Sequence, residues 1–202
     1  MIKFLNKYKK FSKKFFSLIS LPFFLASPSY SEIIDLNDPE TMVKIIIDEA
    51  SKTMGKLVGA KEVRFQWCEG TYYNPRRSLI CLNKEKFKGT SLAFAAAHEY
   101  AHHVQYSNNS LFDKRTLRSE LQADCFAGII LATIKGISFN DDEVQKMLDF
   151  ALDELGDNNY DDVVNHHGSG ENRALAFRSG LAFGRSKGQI KDNYYKMFCL
   201  AK

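Results

Sequence analysis

Apolar positions recur with a helical period over most of the chain. Asp38-Pro39-Glu40 offers an N-cap carboxylate and a proline at the first helical position, and Met42, Ile45 and Ile46 continue one apolar face. This predicts a helix to about Met54, ended by Gly55 and Gly59. The period then shortens: E-V-R-F-Q-W (62–67) and S-L-I-C-L (78–82) read as strands on either side of the turn-like Asn74-Pro75-Arg76-Arg77. Gly89-Thr90 opens a helix from Ser91 to about Ser107, whose run L-A-F-A-A-A-H-E-Y-A is rich in alanine, so that other elements can approach it closely. Further helices are expected from about Thr116 to Ile134, before Gly136, and from about Asp141 to Leu155, before Gly156. Residues 157–170 read as a polar loop, followed by a helix through Leu175 and Phe177 to Gly184 and a short tail helix. No internal repeat is present. The pattern predicts a mostly helical α+β domain with one small antiparallel sheet before the 91–107 helix.

The first 31 residues depart from this pattern. Lys3, Lys7, Lys9, Lys10, Lys13 and Lys14 precede the apolar run Phe15 to Ala26, small residues follow around Ser29-Tyr30-Ser31, and no acidic residue occurs before Glu32. That is the three-part layout of a secretory signal peptide, with cleavage expected after Ser31. A spanning helix needs about 20 apolar residues; this run is shorter and Pro22 interrupts it. An uncleaved anchor and a surface-bound basic helix are the weaker alternatives, and no stable membrane span is expected after cleavage. The first cysteine, Cys68, lies far from the cleavage point, which argues against a lipid anchor. The mature chain is therefore expected in the periplasm or outside the cell.

The leader also changes the charge picture. The 202 residues carry 28 Lys+Arg and 24 Asp+Glu; six of the lysines lie in the leader, which leaves 22 basic against 24 acidic side chains and a net charge of −2 on residues 32–202. No nucleic-acid footprint remains. Hydrophobic residues make up 45% of the chain and only 4 prolines occur, so collagen-like and disordered classes are excluded. A single domain of this length can bury a sizeable core without staples. The four cysteines, Cys68, Cys81, Cys125 and Cys199, allow three pairings in an oxidising compartment. If the two predicted strands form a hairpin, Cys68 and Cys81 face each other across it; buried free thiols are the alternative.

The chemistry concentrates in His98-Glu99-Tyr100-Ala101-His102. Inside a helix, residues four apart share a face, so His98 and His102 can aim ring nitrogens at one Zn²⁺ while Glu99 stands about 100° round, beside an open position suited to a base. By itself the five-residue pattern also fits two solvated histidines. The next helix, however, carries R-S-E-L-Q-A-D, with Glu120 eighteen residues after His102 and Asp124 four residues further on. A catalytic zinc takes three protein ligands and leaves one position open. Glu120 is the expected third ligand, with His167 as the substitute. Asp124 shares its face and can accept a hydrogen bond from the far nitrogen of a liganding histidine.

H-E-x-x-H followed by E-x-x-x-D on the next helix is the gluzincin arrangement of thermolysin-like peptidases. More closely, H-E-Y-A-H-H-V-Q (98–105), S-E-L-Q-A-D-C-F-A-G (119–128) and H-G-S-G-E-N-R-A-L-A-F-R-S-G (167–180) resemble, in order, the bacterial neutral zinc metallopeptidase family. The resemblance implies a zincin-like fold for residues 32–202, one zinc ion held by His98, His102 and Glu120, and Glu99 as catalytic base. Ala101 stands where glycine is expected and Gly170 where a hydroxyl or small residue is usual; neither is a ligand.

The other candidates have two readings each. His103 points about 100° away from His102 and belongs behind the ligands or at the surface. His166 and His167 lie in the loop before the last helices, and His167, within H-G-S-G, can act as an oxyanion donor or merely pack while Ser169 caps the following helix. Arg173 is expected to pair with an acidic neighbour rather than with substrate. Tyr72 and Tyr73 lie in the hairpin that in zincins borders the cleft, though packing is their commoner role. The leading functional expectation is zinc-dependent hydrolysis of a peptide or protein substrate. A cell-wall amidase or peptidase using the same site and a non-catalytic zinc-stabilised binding module are the competitors.

Overall fold

A computed structural model of the chain describes residues 38–108, 117–155, 167–187 and 198–199; the predicted leader, His166, most of the 157–170 loop and most of the tail helix lie outside them. All described residues belong to one compact unit, Glu32–Lys202. It is mostly helical with a small sheet, an α+β arrangement.

Helix α1 (Pro39–Ala50) starts where Asp38 accepts hydrogen bonds from the Glu40 and Thr41 amides. It does not stop at Gly55. A π-helical turn, Ser51–Gly55, carries it into the short α2 (Lys56–Val58), and Gly59 ends it. The Ser51 and Thr53 hydroxyls donate back to the carbonyls of Ile47 and Glu49, and such local bonds bend and widen a helix.

The sheet differs from the expected antiparallel hairpin. Its strands are β1 (Arg64–Trp67), β2 (Tyr72–Asn74) and β3 (Leu79–Leu82), in the order β1-β3-β2. β2 pairs antiparallel with β3 through the predicted turn, but β1 runs parallel to β3, with Arg64 beside Leu79 and Trp67 beside Leu82. The sheet is therefore mixed. Tyr72-Tyr73-Asn74, too short to stand out as a strand, takes the hairpin position, and the chain reaches it by crossing the end of β3 through residues 68–71. Asn83 straps that crossover: its amide NH donates to Thr71 Oγ1 and its side chain donates to the Glu69 carbonyl. The Cys68–Cys81 disulfide is present, but it joins parallel neighbours rather than the two arms of a hairpin.

Helix α3 (Thr90–Ser107) is the centre of the unit. Every residue from Leu92 to Gln105 is buried, which its alanines permit by letting α1, the sheet, α4 (Leu117–Thr133) and α5 (Asp141–Asp153) pack round it. An Asn140–Glu143 capping box starts α5. His103 is buried rather than exposed: Tyr73 and the Lys61 carbonyl occupy its two ring nitrogens at 2.9 Å each, and burial lowers its pKa. It ties α3 to β2, on the opposite side from His98 and His102.

The last helix, α6 (Gly170–Lys187), packs most intimately on α4. A Cβ on Gly180 would lie 1.9 Å from the Cys125 carbonyl oxygen, and one on Gly170 would lie 1.8 Å from that of Leu152. The second contact explains why glycine stands at position 170, where no other side chain fits. A second disulfide, Cys125–Cys199, fastens the C-terminal segment to α4. Gly180→Ala should force the two helix backbones apart and cost at least ~1–3 kcal/mol, as overpacking does. Thermal unfolding checks this: an unchanged midpoint would mean that α4 and α6 do not touch there.

Candidate metal centre

Three elements build the site. Helix α3 supplies His98, Glu99 and His102, α4 supplies Glu120 and Asp124, and α6 with the residues before it supplies His167 and Arg173. The Nε2 atoms of His98 and His102 lie 3.1 Å apart, Glu120 Oε2 is 3.3 Å from the first and Glu120 Oε1 is 3.4 Å from the second. A four-coordinate metal with bonds of about 2.0–2.1 Å needs donor atoms about 3.3–3.4 Å apart. The spacing fits. His98, His102 and Glu120 are the buried group among the described residues that can hold a metal ion.

Each histidine is oriented from behind. Asp124 Oδ1 lies 2.8 Å from His98 Nδ1, and Gln105 Oε1 lies 2.7 Å from His102 Nδ1. The Gln105 amide has no freedom to flip, because its Nε2 donates to the Ser119 carbonyl at 2.8 Å and to Gln122 Oε1 at 2.9 Å. Its oxygen must therefore face His102, whose Nδ1–H donates to it, leaving the Nε2 lone pair turned toward Glu120. Gln105 was not among the residues expected here. Its i,i+3 relation to His102 was the available signal, but that spacing serves any helical neighbour.

Electrostatics favour a cation at the centre. Burial would raise the Glu120 pKa, yet the ring nitrogens of His102, His167 and His98 around it hold it far below the usual carboxylate range. Asp124, with no solvent exposure, is likewise penalised by burial but held ionised by Arg173 and His98. Burial works against a charged His98 ring as well; Asp124 and Glu120 outweigh it and push its pKa up to about 10. The two carboxylates thus favour positive charge on or beside the His98 ring.

Glu99 is buried at 7% exposure, and its Oε2 is a buried oxygen without a hydrogen-bond partner among the described residues. Such an atom is costly unless something outside the chain serves it. The Glu99 residue lines a cavity of about 370 Å³ together with His98, His102 and Glu120. One wall comes from the crossover and the loop after β3, with Glu69, Thr71 and Lys86; the other comes from α5 and the residues just past its end, with Phe150 and Leu155. Tyr72 and Tyr73 do not line it.

His167 reaches the cavity with its side chain 46% exposed and Nδ1 3.5 Å from Glu120 Oε2. Ser169 accepts from the Asn172 amide at its hydroxyl and from the Arg173 amide at its carbonyl, so it starts α6. Arg173 pairs with Asp124 through two hydrogen bonds.

The chain matches no protein-family model, no curated protein and no solved structure. Glu120→Ala should weaken divalent-metal binding severely, whereas Gln105→Leu, which frees the His102 ring without touching the metal, should cost about 10–100-fold in affinity. Chelator competition measures both. Unchanged affinity in Glu120→Ala would shift the third ligand to His167.

Proposed function

We propose that the protein is a zinc-dependent peptidase, exported from the cytoplasm, in which His98, His102 and Glu120 hold the metal and Glu99 acts as general base. The observation that carries this reading is the pairing of three converging donors with the unpartnered, buried Glu99 Oε2 beside them. Two imidazoles and a carboxylate in a four-coordinate arrangement are a donor set that suits zinc, with one position left open. When bound, zinc supplies Lewis acidity, bringing the pKa of water toward ~7 and polarising a carbonyl oxygen.

The chain's own groups do the rest. The Glu99 carboxylate, which lines the cavity, receives the proton of the attacking water and delivers it to the leaving amide nitrogen, a role for which a metal-binding module would have no need. His167, half exposed on the cavity wall, is placed to donate to the substrate carbonyl oxygen as negative charge develops there. The cavity walls from the sheet end and α5 leave a space within the range that takes a small ligand or a few residues of peptide.

The proposal extends to a zincin-like fold and to membership of the bacterial neutral zinc metallopeptidase family, which the three sequence blocks resemble. Export is supported by the leader's layout and by two disulfides, a feature of oxidising compartments. Among the described residues no helix is long and apolar enough to cross a membrane.

Glu99→Gln preserves size and removes the base. It should retain about one zinc per chain while hydrolysis falls by roughly 10² to 10⁴. His167→Ala should also keep zinc and lose roughly 10² to 10³ in rate. The assay is a panel of unstructured proteins and muropeptides, whose two arms separate a general peptidase from a cell-wall enzyme. If the wild-type protein loads zinc and cleaves neither, the site belongs to a zinc-stabilised binding module instead.

A further inference from the structure

Arg173 makes contacts that a plain salt bridge does not require. It is 4% exposed, and its Nε and Nη2 donate to Asp124 Oδ2 and Oδ1 at 2.8 and 2.9 Å. The same Nη2 lies 3.5 Å from His98 Nδ1 and 3.8 Å from Glu120 Oε2. Its third nitrogen, Nη1, donates to the Leu155 carbonyl at 3.2 Å, just past the end of α5. One guanidinium thus touches or closely approaches the carboxylate behind one candidate ligand, that ligand's ring and a second ligand.

The bidentate grip decides what Asp124 can do. A carboxylate held at both oxygens by a planar fork cannot rotate about its terminal torsion. Among the described residues Oδ2 accepts from Arg173, and Oδ1, held in the guanidinium plane, also accepts from His98 Nδ1 at 2.8 Å. We infer that Arg173 is the positioning residue of the metal centre: acting through Asp124, it sets the direction in which His98 presents Nε2, and it brings the arrival of α6 and the end of α5 to bear on metal affinity. This rests on the metal-centre reading given above, though not on peptidase activity.

A lysine at 173 keeps the charge but lacks the fork, and so cannot hold both Asp124 oxygens in plane. The inference therefore separates geometry from charge. It also predicts dependence on Asp124: once that carboxylate is an amide, one of the two oxygens that the fork grips is replaced by a donor, and the bidentate hold is lost.

The test uses the full chain, zinc affinity by competition with a chromophoric chelator, and the visible absorption of the cobalt-substituted protein, which reports coordination geometry. Arg173→Gln should weaken zinc binding about 10–100-fold, the usual worth of a partner behind a ligand, and change the cobalt spectrum. Arg173→Lys, the variant with the better prospect of folding, should recover only part of that loss. In an Asp124→Asn background, Arg173→Gln should add less than about 3-fold, because residues acting as a unit are not additive. Wild-type affinity and spectrum in Arg173→Gln, full recovery with lysine, or additive losses in the double variant would each overturn the inference while leaving the metal centre standing. Failure of the wild-type chain to bind zinc or cobalt would overturn the metal centre, and this inference with it.

Discussion

A carboxylate with no solvent exposure sits at the junction of the three helices that make the site. Asp124 is tolerated there because each of its oxygens is engaged, Oδ2 by Arg173 and Oδ1 by Arg173 and His98. Removing one partner would leave buried charge uncompensated, a loss of several kcal/mol in typical proteins, about 3–5 for a broken buried pair. Helices α3, α4 and α6 are therefore bound to one relative position by electrostatics as well as by packing. Glu120, one turn earlier on α4, inherits that position, and so does its approach to both histidines.

Packing makes the electrostatics affordable. Arg173 can reach Asp124 only because α6 lies against α4 with backbones nearly in contact at Gly180. Helix α3, with five alanines among its buried residues, packs against α4 as well. The wholly buried Phe94 and Phe177 pack edge to face, with ring centroids 4.7 Å apart, filling the space one turn before His98 on α3 and one turn after Arg173 on α6. Small residues bring the helices close, and aromatic ones fix their spacing near the site.

The two walls of the cavity are held in different ways. The sheet end is covalently and polar-tied, with Cys68–Cys81 on one side of β3 and Asn83 holding the crossover on the other. The α5 wall is aromatic and aliphatic, and it meets the site through the Leu155 carbonyl that Arg173 grips. The cavity thus lies between a polar edge tied at β3 and the end of α5, held by the same guanidinium that grips Asp124.

Helix positions, the spacing of His98, Glu99 and His102 on one turn, and that of Glu120 and Asp124 on the next helix were readable from the sequence, because helical periodicity is local and a four-residue repeat fixes which side chains share a face. The strand assignments at 64–67 and 79–82 were readable for the same reason. Their parallel pairing was not, since direction depends on the crossover through residues 68–71 and on a three-residue strand with too few positions to show alternation. The π-helical turn after α1 escaped because side-chain bonds to the backbone, rather than apolar spacing, create it. Gln105 and Arg173 were visible as residues, but what each touches depends on contacts 14 to 75 positions away in the chain. The sequence by itself determined which donors could act together on one helix; only the tertiary structure decided which helices meet, because that follows from close packing at glycine and alanine and from pairing buried charges, neither of which has a period.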